Sequence, residues 1–385
     1  MRRHSQVVVL GGGIIGLSCA LEASLRGFQV TLIEPGKLGG QASGAAAGML
    51  APYSENTEQP DAFFELSLAS LRRYPEWIRL VEELSGRHTE WVRSGSLGVC
   101  YHEADIQPMT SRLEWQNAWG ARAELLDNKA LQGLEPALTD QAVCAVYYPE
   151  ESHVHAPLLV SAVEEACRRQ GVQLVAQAGE AAVLDTHSES GAAVQTASAG
   201  RYSADRLMVC AGAWSGAYER WLGIPVPIHP IRGQICSYDV PYGEVGHMIM
   251  TSQAYWVGKQ NNQLVCGASE DVAGFDATVT ERGIGRLIRS TQRALPFLAG
   301  REPTVRWAGL RPATPDGLPL LGVVPDKPEV IVAAGHYRNG ILLCPITAAV
   351  TGALLQGKLT DDLAALRIEA CAPHRFRTGH DRRYG

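Results

Sequence analysis

The chain has 385 residues, of which 46% are hydrophobic and 19% charged, and its formal net charge is −6. This composition is typical of a globular protein large enough for two domains or one large α/β unit. No apolar run is long enough to cross a membrane, and glycines interrupt the N-terminal apolar stretch, so we expect neither a membrane span nor a signal peptide. The net charge argues against a nucleic-acid partner.

Nine cysteines are scattered along the chain without a CxxC pair, and most lie inside apolar runs. Their odd number and spacing indicate reduced thiols and favour a cytoplasmic protein. No cluster of His, Cys and acidic residues has the spacing of metal ligands, so we expect no metal site.

Residues 6–34 combine an apolar run, a glycine-rich turn, an amphipathic helix and a second apolar run that ends at Glu34. The turn has the form GxGxxG. Gly11 permits the tight turn, Gly13 lets the backbone approach a pyrophosphate, and Gly16 lets the helix lie close to the strand. The helix N-terminus favours phosphate, and Glu34 is correctly spaced to accept hydrogen bonds from a ribose. The complete pattern predicts a dinucleotide site rather than a merely structural glycine turn.

The next segment, 35–52, consists almost wholly of small residues. Such a segment is either a flexible linker or a stretch whose backbone passes close to a ligand. Because it contains Met49, Leu50 and Pro52 and lies between strong elements, we favour the second interpretation.

Hydrophobic periodicity places the remaining elements. The predicted helices are 61–85 (one helix, or a pair around Pro75), 103–120, 127–134, 157–169 and 279–295. The predicted strands are 96–101, 172–175, 204–210, 233–238, 248–251, 254–258, 263–267, 305–310 and 330–334. The strand at 204–210 leads into the turn AGAW (211–214), at a position where doubly wound sheets bind ligands.

The final part of the chain repeats the strand, glycine turn and helix of the N-terminus, while the sequence after residue 225 is rich in short strands. We therefore predict an α/β protein with a discontinuous, Rossmann-like cofactor domain and a second, β-rich α+β domain. The predicted cofactor domain comprises 1–89, 145–223 and 305–370, and the substrate domain comprises 90–144 and 224–304. The locally basic end, 371–385, is predicted to be a loose tail.

Four segments resemble the FAD-dependent amine and D-amino acid oxidases, and among these the glycine oxidases of thiamine biosynthesis. They are LGGGIIGLSCA…VTLIE, ASGAAAGMLAP, GLRPATPDGLPLLG (309–322) and AAGHYRNGILLCPITA (333–348). The first is shared by many flavin and nicotinamide proteins, whereas the last two are specific to the glycine oxidase branch. The resemblance implies a D-amino acid oxidase-like fold. It also implies non-covalent FAD, because Gly309 and Leu310 stand where oxidases with covalently attached flavin carry a cysteine.

The resemblance assigns the ADP half of FAD to the first glycine turn and Glu34, the middle of the cofactor to 43–49, and the flavin ring to 335–343. The implied FAD-binding residues are Gly11, Gly13, Ile14, Ile15, Gly16, Glu34, Ser43, Ala46, Ala47, Gly48, Met49, Ala211, Gly212, Trp214, His336, Tyr337, Arg338, Asn339, Gly340, Ile341 and Leu342. The side chain of Trp214 is expected to pack in the core. His336 is not assigned as a base, because hydride transfer from a neutral amine needs none.

The resemblance makes Arg311 the residue that binds the substrate carboxylate, since a guanidinium can grip it through two parallel hydrogen bonds. We expect Arg311 in a loop just after a strand; the alternative is an ion pair with Asp316 or a plain surface arginine. Tyr255 would donate to the same carboxylate, unless it is an ordinary strand tyrosine. Arg338 would contact a second carboxylate or the flavin.

Three further residues are predicted to lie at the substrate pocket. Met49 would limit the size of the substrate side chain, although a core methionine is an equal alternative. Gln253 and Glu270 would stand beside the pocket; Glu270 either contacts the substrate amine or is solvated at a strand end.

The implied function is oxidative deamination of glycine and other small amines, such as sarcosine and D-alanine, with dioxygen as co-substrate. The products would be an imine or glyoxylate, ammonia and hydrogen peroxide, and the imine would be passed to a thiazole synthase or hydrolysed. The alternatives are a sarcosine oxidase, a D-amino acid oxidase or dehydrogenase, an oxidase domain for modified transfer-RNA bases, and a flavin subunit without turnover. The resemblance further suggests a homo-oligomer, as a tetramer.

Overall fold

The computed structural model describes residues 5–56, 58–185 and 192–377. Its strands are β1 (Gln6–Leu10), β2 (Gln29–Ile33), β3 (Met49–Leu50), β4 (Ser96–Cys100), β5 (Glu124–Asp127), β6 (Cys144–Tyr148), β7 (Ser152–His153), β8 (Gln173–Val175), β9 (Ala181–Asp185), β10 (Ala192–Thr196), β11 (Gly200–Ala204), β12 (Arg206–Val209), β13 (His229–Asp239), β14 (Met248–Met250), β15 (Tyr255–Lys259), β16 (Gln263–Gly267), β17 (Val305–Ala313), β18 (Leu320–Val324) and β19 (Lys327–Ala334). Its α-helices are α1 (Ile14–Leu25), α2 (Ala42–Ala45), α3 (Pro52–Glu55), α4 (Ala62–Ser85), α5 (Ile106–Ala118), α6 (Asn128–Leu134), α7 (Ala156–Arg169), α8 (Glu219–Leu222), α9 (Glu281–Ala294), α10 (Gly340–Leu355) and α11 (Asp361–Ala364).

The first sheet joins segments that are far apart in sequence. Within the described residues its strand order is β18-β19-β12-β1-β2-β8. β1 lies parallel to β2 and β12, and β12 lies parallel to β19. Val7 and Val9 of β1 are buried against α1, α7 and α10, whereas Val8 and Leu10 pack on the opposite face with strands β9 to β11. A mostly parallel sheet covered on both faces confirms the Rossmann-like α/β prediction.

The second sheet has the order β17-β13-β16-β15-β14-β4-β6-β5, counted over the described residues. α9 packs Ile284 and Leu287 into the hydrophobic cluster on this sheet. Residues 145–148 and 305–313 were predicted to belong to the cofactor domain, but their strands β6 and β17 pair within the second sheet. An apolar run predicts a strand, but it carries no sign of which sheet the strand joins. The rest of the domain division stays a prediction.

The structure lengthens the predicted strand that carries Arg311 and decides between the two forms predicted for 61–85. β17 continues to Ala313, so Arg311 lies within a strand and not in the loop that follows it. α4 is one helix that runs through Pro75, capped at its start by the Asp61 carboxylate and ended by Gly86 in the left-handed conformation. Pro75 removes only one hydrogen bond, and burial of Phe64, Tyr74 and Ile78 holds the helix together across it.

The predicted loose tail is wrong as far as Arg377. The guanidinium of Arg375 pairs with Asp316, with 2.7 Å between Nε and Oδ2, and donates to the carbonyl oxygens of Leu318 and Pro319. The local sequence has no apolar pattern, but one arginine finds its acid partner far away in the chain. Residues 378–385 lie outside the described residues.

The glycine turn after β1 depends on close backbone contact. A Cβ atom at Gly16 would lie 1.9 Å from the carbonyl oxygen of Gly11, and one at Gly11 would lie 2.3 Å from the carbonyl oxygen of Cys210. Gly11 also has a φ of +108°. These two positions therefore admit only glycine, and they bring α1 and the turn after β12 against the end of β1.

We expect Gly16→Ala to lower the free energy of unfolding by about 3 kcal/mol, because the added methyl group overlaps fixed backbone atoms. Urea unfolding followed by circular dichroism measures the loss. The control is Gly133→Ala in α6, where a Cβ meets nothing within 4 Å; this change should be neutral or stabilise by up to ~1 kcal/mol. Equal stability of the Gly16→Ala variant and the wild type would contradict the packing argument.

Candidate active site

A cavity of about 710 Å³ is lined by the ends of β1, β12 and β19 from the first sheet and by β13, β15 and β17 from the second. Its size lies in the range of cofactor sites. Most residues predicted to bind FAD line this single cavity: Gly11, Gly13, Ile14, Ile15, Glu34, Ser43, Ala46, Ala47, Gly48, Met49, Ala211, Gly212, Trp214, His336, Tyr337, Arg338, Gly340 and Ile341. Arg311 and Tyr255 line it as well. Their roles in binding stay predictions.

Five predicted site residues do not line the cavity. Gly16 lies within α1, facing the carbonyl oxygen of Gly11. Asn339 is the residue that precedes α10, and Leu342 is buried in the first turn of that helix. Gln253 precedes β15 and accepts a hydrogen bond from Ser290 on α9, 3.4 Å away. Its assignment to the substrate pocket is therefore wrong: the turn before β15 directs the side chain to α9. Glu270 stands beside the cavity, in contact with residues that line it.

Trp214 is not a core residue. Its side chain is 39% exposed, lines the cavity and packs against Phe275, with the ring centroids 5.4 Å apart. It lies in the short helical turn Gly212–Tyr218, which follows the carboxyl end of β12. The position of the turn, at the edge of the first sheet, overrides the general tendency of tryptophan to be buried.

The turn after β2 is held to the turn after β1 by polar contacts. The Glu34 carboxylate accepts hydrogen bonds from the N–H groups of Gly12 and Gly36, at 2.7 and 2.9 Å. The hydroxyl of Ser43 accepts from the N–H of Ile14, at 2.9 Å. A carboxylate offers about four acceptor directions, so Glu34 retains capacity for a ribose. The backbone cradle, its acid and its open cavity fit a dinucleotide cofactor.

Arg311 lies on β17 with its guanidinium against Gly233 of the neighbouring strand. A Cβ atom at Gly233 would lie 2.5 Å from the guanidinium carbon, so this glycine makes room for the arginine. Nη1 donates to the carbonyl oxygen of Ser269 at 2.9 Å. The described residues offer Arg311 no ion pair, and the alternative of a pair with Asp316 is wrong because Arg375 binds that acid. Arg311 therefore presents a cation to the cavity.

Tyr255 begins β15 and lies over Gly267 of β16, where a Cβ atom would be 2.2 Å from the tyrosine hydroxyl. Burial raises the pKa of Tyr255 to about 12, against the opposing effect of Arg311 and Arg338. The hydroxyl is therefore protonated at ordinary pH and available as a hydrogen-bond donor beside Arg311.

Arg338 differs from Arg311 because it has acid partners. Its guanidinium lies 3.2 Å from the carboxylate of Glu55 and 3.5 Å from that of Glu270. Glu55, and to a smaller degree Glu270, raise the pKa of Arg338 further above its ordinary value. Glu270 also accepts a hydrogen bond from the hydroxyl of Tyr337, at 2.9 Å. Glu270 is therefore part of a network at the cavity and not only a solvated strand-end residue.

Glu55 was not predicted from the sequence. It ends the short helix α3, directly after the small-residue segment, and it lines the cavity beside Arg338. The only available signal was its position just beyond that segment. Glu180 and Tyr218 also line the cavity, and nothing in their local sequence marks them.

His336 is buried, and burial lowers its pKa to about 3. Its Nε2 atom lies 3.0 Å from the hydroxyl of Thr347 on α10. A neutral imidazole bonded to a helix residue holds the turn between β19 and α10 in place, which agrees with the expectation that His336 is not a base.

The segment that lines the cavity at Gly48 is held from behind by a buried lysine. A Cβ atom at Gly48 would lie 2.0 Å from the carbonyl oxygen of Val154. The Nζ atom of Lys259 donates to this same carbonyl at 2.7 Å and lies 3.2 Å from Nδ1 of His153. Burial lowers the pKa of Lys259 to about 7, although Glu90 opposes the shift. The backbone of β7 therefore fixes Gly48 and Met49 at the cavity wall.

Within residues 5–56, 58–185 and 192–377, no helix combines the length and apolarity needed to span a bilayer. No group of three or more His, Cys, Asp or Glu side chains in that part is placed to hold a metal ion.

Residues 6–354 match the family described as DAO, FAD dependent oxidoreductase. The match covers most of the chain, which therefore belongs to this family. The protein is a FAD-dependent oxidoreductase, as the glycine turn, the small-residue segment and the turn after β19 predicted.

Similar proteins within this family include a glycine oxidase. The chain is 30% identical over 372 residues to the glycine oxidase of Geobacillus kaustophilus, covering 96% of this chain and 97% of that protein. The crystal structure of glycine oxidase from Geobacillus kaustophilus superposes with a TM-score of 0.90 at 28% identity, covering 97% of this chain and 100% of the other.

The bifunctional protein ThiO/ThiG of Synechocystis is 32% identical over 385 residues, covering 98% of this chain and 55% of that protein. The chain thus spans about half the length of that relative.

The lowered pKa of Lys259 predicts a pH-dependent stability. At pH values between about 7 and 10.5, the amine of Lys259 is protonated in the unfolded chain but neutral in the native state. Native stability therefore falls as the pH is lowered through this range. We expect the stability of the wild type, relative to Lys259→Met, to decrease from pH 10 to pH 7 in urea unfolding. Exposed Lys358→Met is the control and should show a constant difference. If the difference in stability between the wild type and Lys259→Met also stayed constant with pH, burial of the neutral amine would be contradicted.

Proposed function

We propose that the protein is an oxidase of glycine and other small amines, including sarcosine and D-alanine. The observation that carries the proposal is the Arg311 guanidinium, which enters the FAD cavity without an acid partner among the described residues and beside the protonated hydroxyl of Tyr255. A carboxylate would neutralise this cation through two parallel hydrogen bonds and accept a third from Tyr255. The similarity to glycine oxidases supports a small amino acid as the substrate.

The side chains of the cavity would orient the substrate and not supply a base. Arg311 and Tyr255 would hold the carboxylate, and the acids around Arg338 would keep that second cation from competing for it. FAD, when bound, would supply the hydride acceptor, and dioxygen as the co-substrate would account for hydrogen peroxide as a product. Met49 lines the cavity and would limit the substrate side chain. Catalysis would thus come from orientation and electrostatics.

The imine product would be used for the thiazole of thiamine or hydrolysed to glyoxylate and ammonia. The relative named bifunctional protein ThiO/ThiG supports a link to a second activity, because its name joins two functions in one protein. A transient contact with a thiazole synthase, a homo-oligomeric state such as a tetramer and a cytoplasmic location accompany the proposal as predictions.

The rival functions are separated by simple measurements. A peroxide-coupled assay over glycine, sarcosine, D-alanine and D-proline ranks the substrates, and a dehydrogenase would form no peroxide. Acid precipitation should leave a yellow supernatant, because FAD is proposed to be non-covalent. Anaerobic glycine should bleach the bound flavin; failure to do so, with every amine tested, would favour a flavin subunit without turnover.

We expect Arg311→Leu to raise the Michaelis constant for glycine by about 100-fold or more, because a charge-assisted bidentate pair contributes roughly 3 kcal/mol. The matched control is Arg289→Leu on α9, an exposed arginine outside the cavity wall, which should leave the constant within about twofold. Initial rates of peroxide formation measure both. An unchanged constant in the Arg311→Leu variant would remove Arg311 from the substrate site and overturn the proposal.

A further inference from the structure

Helix α10, whose first turn lines the cavity at Gly340 and Ile341, contains a proline at position 345. Proline has no backbone N–H, so Pro345 cannot donate to the carbonyl oxygen of Ile341 one turn earlier. Ile341 is buried, and a buried acceptor without a donor destabilises the folded state. The carbonyl oxygen of Ile341 therefore needs a side-chain donor.

α4 provides that donor. The hydroxyl of Tyr74 donates to the carbonyl oxygen of Ile341. The thiol of Cys344 also reaches this oxygen, at 3.2 Å, but it is a weaker donor. Tyr74 is fully buried, and burial raises the pKa of its hydroxyl well above the ordinary value, so the donor proton is retained.

A second hydroxyl of α4 is inserted into the next turn of hydrogen bonds. Ser70 donates to the carbonyl oxygen of Leu342 at 2.6 Å and accepts from the N–H of Ile346 at 3.4 Å. These are the two groups that a regular helix would join directly. Ser70 and Tyr74 are four residues apart, so they lie on one face of α4 and meet α10 together.

We propose that Tyr74 and Ser70 are positioning residues that set the direction of the first turn of α10, and thereby the affinity for FAD and the reduction potential of the bound flavin. The start of a helix carries N–H groups without intrahelical partners and a partial positive charge, and both act over one turn only. The reduced form of a flavin beside the N-terminus of α10 would be stabilised electrostatically to a degree that depends on the orientation of the first turn. The proposal rests on the FAD cavity and does not depend on which amine is the substrate.

The test is a double-mutant cycle of Tyr74→Phe and Pro345→Ala. Tyr74→Phe removes only the hydroxyl, and we expect the dissociation constant of FAD from the apoprotein to rise about tenfold. The midpoint potential of the bound flavin should become more negative, because the helix end is less well aimed. Pro345→Ala restores an N–H to the Ile341 carbonyl, so in that background the same Tyr74→Phe change should alter the FAD dissociation constant by less than about twofold.

Two other variants complete the design. Ser70→Ala should have a smaller effect than Tyr74→Phe, because the N–H of Ile346 can then bond directly to the carbonyl of Leu342. Tyr238→Phe removes the hydroxyl of another buried tyrosine, on β13 of the second sheet, and should leave the potential unchanged.

The result that would overturn the proposal is an equal effect of Tyr74→Phe with and without Pro345, which would mean that the tyrosine acts by packing alone. Weaker FAD binding without a change in potential, or no change in either, would also overturn it. If Tyr74→Phe alone does not fold, the proposal requires the double variant Tyr74→Phe/Pro345→Ala to fold and to bind FAD as Pro345→Ala does.

Discussion

The carboxyl ends of parallel strands meet at one edge of a sheet, and the rest of this structure depends on that constraint. β1, β12 and β19 are distant in sequence but adjacent in the first sheet. The turns that follow them therefore converge on one cavity. At Gly11 and at Gly16 the backbones approach so closely that a single Cβ atom would prevent the contact. Because main chain packs directly on main chain at these glycines, the cavity keeps the space that a flat, charged cofactor requires.

The two arginines that line the cavity differ in whether they have acidic partners. Arg338 is balanced by Glu55 and Glu270, whereas Arg311 donates to the carbonyl oxygen of Ser269 and has no acid partner among the described residues. An arginine that already pairs with two acids gains little electrostatic stabilisation from a third carboxylate, because its positive charge is already balanced. An arginine without an acid in a low-dielectric cavity attracts a carboxylate strongly. The arrangement leaves Arg311 as the arginine available to an anion, which supports the proposal of a substrate with one carboxylate.

Much of the fold and cofactor site was accessible from the sequence, because both are encoded in local patterns. A strand, a glycine turn, a helix and an acid within 29 residues (6–34) need no distant partner to be interpreted. Arg311, Tyr255 and the turn after β19 were found through a resemblance to a family and not through periodicity. Glu55 was missed, Gln253 was wrongly placed, and Trp214 was assigned to the core, because each depends on which surface a turn faces.

The sequence by itself determined many of the element types, the glycine positions at which backbone must approach backbone, and the indication of a dinucleotide cofactor. These follow from short-range sterics and from side-chain period, which act within a few residues. Only the tertiary structure decided that β6 and β17 join the second sheet, that Arg375 binds Asp316, and that the hydroxyl of Tyr74 replaces the hydrogen bond lost at Pro345. Such partners are chosen by packing in three dimensions, and hydrogen-bonding groups far apart in the chain carry no local sign of one another.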